Sequence, residues 1–307
     1  MSILVVGSVA LDTIRTPFGY VCEALGGSAV YFSVAARFFT DVHLVAVVGR
    51  DFPDEHVRFL ENRGVDMKGL KKVDGKTFRW EGEYLFDLNE AKTIRTELNV
   101  FQDFRPVIPE EYRHADHVFL ANIDPELQLE VLKQVKNPSL VACDTMNYWI
   151  RGKPQELKNT LKTVDIVFLN EQEARELAGE ANLIKAAKYI HALGPSVVVI
   201  KRGEYGALLF QNEKIFWAPA YPLETIFDPT GAGDSFAGGF MGYLCRDRHI
   251  EKGTYKKGIV YGSIMASFNV EDFSVRRIAS VTFADIERRY QEFKNLTSFE
   301  DILIQVS

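Results

Sequence analysis

The residues best suited to chemistry stand together at Asp228-Pro229-Thr230-Gly231-Ala232-Gly233-Asp234, where two carboxylates flank a Gly-Ala-Gly turn. Pro229 cannot continue a strand ladder. Gly231 and Gly233 let the backbone turn tightly and bring bare N–H groups close to a ligand. A helical pattern starts at once behind them, with Phe236, Phe240 and Leu244 on one core-facing stripe. The turn therefore sits at a helix N-terminus, where unpaired N–H groups and the helix dipole favour an anion. Asp234 falls in the first turn of that helix. A carboxylate beside an anion cradle can take the proton of a hydroxyl that attacks phosphorus. It can equally be an acid that only complements the dipole, and the turn alone leaves both readings open.

The elements that must position this turn are legible as an alternation. Short apolar runs at 3–7, 42–49, 117–121, 139–144, 165–170 and 196–201 read as strands buried on both faces. Helical patterns lie between them, roughly at 27–39, 53–63, 125–135, 154–163, 171–178 and 181–192. Three more follow near 231–247, 252–268 and 282–294. This predicts an α/β fold with a doubly wound, mostly parallel sheet. Residues 77–86 break the rule: Phe78, Trp80, Tyr84 and Phe86 alternate with Thr77, Arg79, Glu81 and Glu83. Period two predicts a half-exposed antiparallel strand, and with residues 12–21 a small sheet standing out from the core. Its aromatic face must lie on a ligand, the main body or a second copy of the chain.

Composition narrows the function classes. The chain has 307 residues, 47% hydrophobic and 25% charged, with a net charge of −6. No long basic block is present, which argues against nucleic acid or an anionic membrane as main partner. The apolar runs are too short to cross a bilayer, and "MSILVVGSVALD" enters a strand without the pattern of a signal peptide. Cys22, Cys143 and Cys245 are widely spaced, which suits a reducing cytoplasm and neither a disulfide framework nor a zinc site. "VVGSVALD" is not the GxGxxG of a dinucleotide-dependent oxidoreductase.

"DPTGAGDSFAGGF" resembles the C-terminal signature of the ribokinase-like (PfkB) carbohydrate kinases. Further elements occur in the family's order: Asp12 in "GSVALD", Gly26-Gly27 in "LGGSAVYFSVAARFF", Asn170 and Glu173 in "NEQE", and Gly203 and Gly206 in "IKRGEYGALL". The resemblance covers almost the whole chain. It implies a Rossmann-like domain over residues 1–307 with a β-sheet lid formed by about 12–22 and 71–103, and a cytoplasmic homodimer joined through the lids. It also implies transfer of the γ-phosphoryl group of ATP, with Mg²⁺, to a hydroxymethyl group of a sugar or nucleoside. Asp234 would be the base and the Gly231, Ala232 and Gly233 amides the anion hole. Asp12, Gly26, Gly27 and Tyr31 would meet the acceptor. Asn170, Glu173, Lys201, Gly203, Gly206 and Thr230 would meet the nucleotide, Glu173 holding Mg²⁺ through water.

Several of these residues have plainer readings. N-x-x-E before a helix is also a capping box. Lys201 and Arg202 steer phosphate or are solvated strand-end charges, and Gly203 and Gly206 can simply make a hairpin turn. Asp12 forms a turn or binds a hydroxyl at a strand end. Asp228 and Thr230 match positions where many family members bind a monovalent cation such as K⁺, with 266–275 as the partner segment. That segment lacks the glycine common there.

The acceptor is less legible. Tyr31 stands where the family often has an asparagine that touches substrate. A tyrosine there stacks on a ring or closes off part of the pocket. The hinge carries no Lys or Arg to hold a second phosphate, leaving only Lys76, Arg79 or Arg95 of the lid for that task. The order of expectation is an unphosphorylated sugar or polyol, then a nucleoside, then a sugar phosphate. A non-catalytic sugar- or nucleotide-binding protein of the same fold is the alternative from another class.

Overall fold

The computed structural model describes residues 1–89, 91–246 and 253–298. From the N-terminus come β1 (Ser2–Val6), β2 (Ala10–Thr16), β3 (Gly19–Gly26), α1 (Ser28–Ala36), β4 (Asp41–Gly49), α2 (Asp54–Asn62) and β5 (Val65–Val73). Then follow β6 (Phe78–Tyr84), β7 (Ala91–Glu97), β8 (His117–Leu120), α3 (Pro125–Leu132), β9 (Leu140–Asp144), α4 (Asn147–Gly152) and α5 (Pro154–Leu161). The second half continues with β10 (Ile166–Asn170), α6 (Glu171–Ala178), α7 (Leu183–Ala192), β11 (Val197–Lys201), β12 (Ala207–Gln211) and β13 (Lys214–Ala218). It closes with α8 (Ala232–Leu244), α9 (Thr254–Asn269), α10 (Arg276–Ser280) and α11 (Phe283–Thr297).

The six apolar runs became β1, β4, β8, β9, β10 and β11, all parallel in one sheet of order β13-β12-β11-β10-β9-β8-β1-β4-β5. Their side chains bury alternately into two apolar layers. Ile3, Val5, Phe119 and Phe168 face one layer, with α1, α8 and α9; Leu4, Val6, Val118 and Val167 face the other, with α3, α5, α6 and α7. That double burial is why the runs are continuous rather than alternating. β12 and β13 close one edge as antiparallel strands, and β5 forms the other edge. The expected stretches 247 and 252, at the ends of two helices, lie outside the described residues. Among the described residues no helix is long and apolar enough to cross a membrane.

The period-two region forms a second sheet of order β3-β2-β6-β7. Its strands run over 10–26 and 78–97, narrower than the expected 71–103: residues 71–73 belong to β5, and 99–101 make a short 3₁₀ turn. β6 is antiparallel to β7 but parallel to β2. The chain leaves β3 through α1, β4, α2 and β5 before returning, and so long a crossover can enter from the same end. Phe86 is 87% exposed and takes no part in the inner face. Ile14, Val21, Trp80 and Tyr84 do, packed with Phe273.

Candidate active site

Most of the expected residues come together where the small sheet meets the start of α8 and the carboxyl ends of the parallel strands. α8 begins at Gly231, whose φ of +75° a β-carbon would strain. There is also no room for one, because it would fall 2.3 Å from Cγ of Tyr31. Tyr31 comes from α1, which starts after Gly27 at φ +98°. The Tyr31 ring is 1% exposed and lies flat against the glycine turn. One face of the ring is therefore occupied by the turn. Its hydroxyl is buried without a hydrogen-bond partner among the described residues.

Asp12 stands near the start of β2, beside Gly26, and is 4% exposed. Burial, with the Asp228 carboxylate nearby, raises its pKa to about 8, although the Gly27 N–H opposes the shift. Trp80 is Asp12's register partner on β6, and its ring lies across Gly82. Tyr84, two positions beyond Gly82, accepts a hydrogen bond from the Thr230 hydroxyl at 3.2 Å. The small sheet is thus tied directly to the glycine turn.

On the other side of the turn, Lys201 ends β11. Its Nζ donates to Asp144 Oδ2 at 2.7 Å and lies against Gly233, 3.1 Å from where a β-carbon would sit. Burial alone would lower the lysine's pKa, but Asp144 and Glu173 hold it above the ordinary value. Asp234 is half-buried in the first turn of α8. Burial, and then the Asp144 carboxylate, raise its pKa to about 7, with Lys201 pulling the other way. A carboxylate ordinarily ionised far below neutrality is thereby brought to the pH where a general base works best. Glu173 is raised to about 7 by burial first and Asp144 second. The Ala232 N–H donates to the Pro229 carbonyl at 3.1 Å, and no side chain caps the helix. Of the three amides expected to form the anion hole, Ala232 is thus engaged within the turn, while those of Gly231 and Gly233 have no hydrogen-bond partner among the described residues.

Asn170 and Glu173 form the capping box in full: Asn170 Oδ1 accepts from Glu173 N at 2.8 Å, and Glu173 Oε2 from Asn170 N at 2.7 Å. Lys201 and Arg202 part company. Arg202 turns away to pair with Glu171 and lies over the Tyr205 ring. Gly206 turns β11 into β12 and packs on the end of β13, so the hairpin reading accounts for it. At Gly203, Asn89, from the turn between β6 and β7, comes within touching distance. Two of the three lid cations are committed to carboxylates: Arg79 pairs with Glu23 at 2.7 Å and Asp51 at 2.8 Å, and Arg95 pairs with Glu81 and Glu97.

Sequence reasoning missed Asp144, 4% exposed and the partner of Lys201. Its one signal was position: a lone carboxylate at the carboxyl end of a buried apolar strand, as Asp12 follows the run of β1. Trp80 and Tyr84 were read only as an aromatic face, without a target. Among the described residues no group of three or more His, Cys, Asp or Glu stands ready to hold a metal directly. Carboxylates spread around Lys201 suit instead a hard cation carried in by phosphates and water.

The chain is similar to known proteins over most of its length. The profile of the pfkB family carbohydrate kinases matches residues 2–279. A cytidine kinase of Thermococcus kodakarensis is 33% identical over 259 residues, covering 82% of this chain and 91% of that kinase. A nucleoside kinase of Methanocaldococcus jannaschii is 22% identical over 249 residues, 80% of this chain and 79% of that protein. A nucleoside kinase of Burkholderia thailandensis, solved in complex with ADP-inosine, shares the fold with a TM-score of 0.79 over 99% of this chain and 100% of its own, at 16% identity. With a family match over nearly its whole length, this chain belongs to the pfkB carbohydrate kinases, phosphotransferases whose acceptor is an alcohol.

Proposed function

We propose that this chain is an ATP-dependent nucleoside kinase, phosphorylating a primary hydroxyl of the nucleoside with Asp234 as base. The observation that carries the nucleoside over a free sugar is the aromatic wall: Trp80 and Tyr84 on the inner face of the small sheet, beside Asp12. Such a wall offers a flat partner to a base, while Asp12 meets sugar hydroxyls. The 33% identical relative being a cytidine kinase supports the same ordering. A sugar phosphate falls further back, because Arg79 and Arg95 are committed to carboxylates.

In this reading the acceptor hydroxyl lies between Asp12 and Asp234. Asp234 takes its proton as the oxygen attacks the γ-phosphorus. The bond from that phosphorus to the β–γ bridging oxygen breaks, and ADP leaves. The N–H groups at the start of α8 meet the charge on the moving phosphoryl group, and Lys201 neutralises its oxygens from the opposite side. Mg²⁺, when bound with the nucleotide, neutralises phosphate charge; Glu173 and Asp144 are the carboxylates that would hold it through water. The small sheet serves as the lid and excludes water from the phosphoryl group. Its outer face is where the homodimer would form. A non-catalytic binding protein would have no use for a carboxylate poised near neutrality.

The test is ADP release with Mg²⁺ and ATP across cytidine, uridine, inosine, adenosine, ribose, fructose, polyols and sugar phosphates. Nucleosides are expected to turn over, with Trp80→Ala raising the nucleoside KM about tenfold or more and sparing ATP. A free sugar or sugar phosphate preferred over every nucleoside in kcat/KM would overturn the assignment.

A further inference from the structure

The fold family implies a monovalent cation against Asp228 and the Thr230 carbonyl, and the residues here can be tested for that ion. A cation site needs oxygen lone pairs that converge on one point, with no N–H donor aimed into it. Asp228 is fully buried, and each of its oxygens already accepts one backbone N–H: Oδ1 from Thr230 N at 2.9 Å and Oδ2 from Ser274 N at 3.2 Å. The Val270 carbonyl accepts from Phe227 N at 2.8 Å. The Thr230 carbonyl accepts from Asn269 Nδ2 at 2.7 Å.

Asn269 is 0% exposed at the end of α9, and its orientation is fixed by its neighbours. A carbonyl can only accept, so the amide nitrogen must face Thr230. Oδ1 then receives the Ser235 hydroxyl at 3.1 Å. Ser235 is in the first turn of α8 and Thr230 immediately precedes its glycine turn. One carboxamide therefore grips the anion cradle from both sides. The positive end of its dipole points at the oxygen that a bound cation would need.

We infer that the carboxamide of Asn269 stands in for the monovalent cation, holding the phosphate turn in place and making phosphoryl transfer by this chain independent of K⁺. The residues do not fit the ion, and Asn269 is a positioning residue acting through Thr230 and Ser235. This rests on the kinase reading above, so one arm of the test needs no turnover. The first arm compares melting temperature in potassium chloride and choline chloride at equal ionic strength. Equal curves are expected; a rise specific to K⁺ that saturates would overturn the inference. If no acceptor turned over in any salt, the kinase reading would fall while this arm still decided the cation question.

The second arm measures turnover of cytidine with ATP as its Tris salt. The wild-type rates in the two salts are expected to agree within about twofold; stimulation of about tenfold or more by K⁺ alone would overturn the inference. Asn269→Ala is expected to lower kcat by about tenfold or more while the cytidine KM changes by less than about twofold. Asn269→Asp, which sets an oxygen against the Thr230 carbonyl, is expected to lose rate in choline and recover it in K⁺. An unchanged kcat in Asn269→Ala would overturn the role given to the carboxamide. Should that variant fail to fold, Ser235→Ala loosens the same grip from the other side: a fall in kcat at unchanged KM supports the inference, and a wild-type kcat overturns it.

Discussion

Three carboxyl groups of the site titrate far from their ordinary values: Asp12 at about 8, Asp234 at about 7 and Glu173 at about 7, each raised first by burial. An unfolded chain releases these protons near pH 4 (about). Between there and about pH 8 the folded state binds more protons than the unfolded one, so stability declines as pH rises through that window. Melting of the ligand-free protein should therefore drop between about pH 5 and about pH 8. Asp234→Asn should raise the melting temperature at the upper end and change little at the lower. The same substitution should cut kcat by about 10²- to 10⁴-fold. A near-normal kcat would remove Asp234 as base. In the wild type, kcat/KM should fall about tenfold per pH unit below the Asp234 pKa of about 7, a slope that a pH–rate profile reads directly. The Asp144–Lys201 pair makes a separate prediction. Losing one partner strands a buried charge, so Asp144→Ala or Lys201→Met alone should destabilise by about 3–5 kcal/mol. The double variant should regain much of that stability by chemical denaturation while staying inactive.

At the scale of elements, the glycine turn depends on contacts from four directions: Tyr31 of α1 beneath it, Lys201 of β11 beside it, Asn269 of α9 behind it and Tyr84 of β6 above it. Tyr84→Phe removes only the link to Thr230. The nucleoside KM should rise by about three- to tenfold with ATP binding unchanged, the size of one hydrogen bond between neutral groups. Equal KM values would show that the small sheet does not act through this bond. The parallel strands were legible because burial on both faces leaves unbroken apolar runs. β5 was not, because an edge strand reading "VDMKGLKKV" has an exposed lysine-rich end and no clean period. The pairing of β2 with β6 was illegible for another reason. Period two reports which face is buried and says nothing of strand direction. Among site residues, Asp234 and the glycines announced themselves through a dense local motif. Asp144 and Asn269 did not, since their partners lie far away in the chain and neither sits in a pattern of its own.

Across the whole molecule, the small sheet touches both the glycine turn before α8 and the turn after β11. Tyr84 reaches the glycine turn, and Asn89 reaches Gly203. Binding of a nucleoside should therefore slow hydrogen exchange across β2, β6 and β7 as one unit and shift Trp80 fluorescence. Protection confined to β2 would show that the sheet does not move as a lid. The contact between Tyr31 and Gly231 bears on how this chain can change by descent. A smaller residue at 31 leaves a void under the phosphate turn, and any side chain at 231 collides with the tyrosine. Positions far apart in the gene, one on α1 and the other at the start of α8, are thus mutually constrained. A lineage drifting toward a new substrate through residue 31 would first have to cross a variant with a slackened cradle and poor turnover.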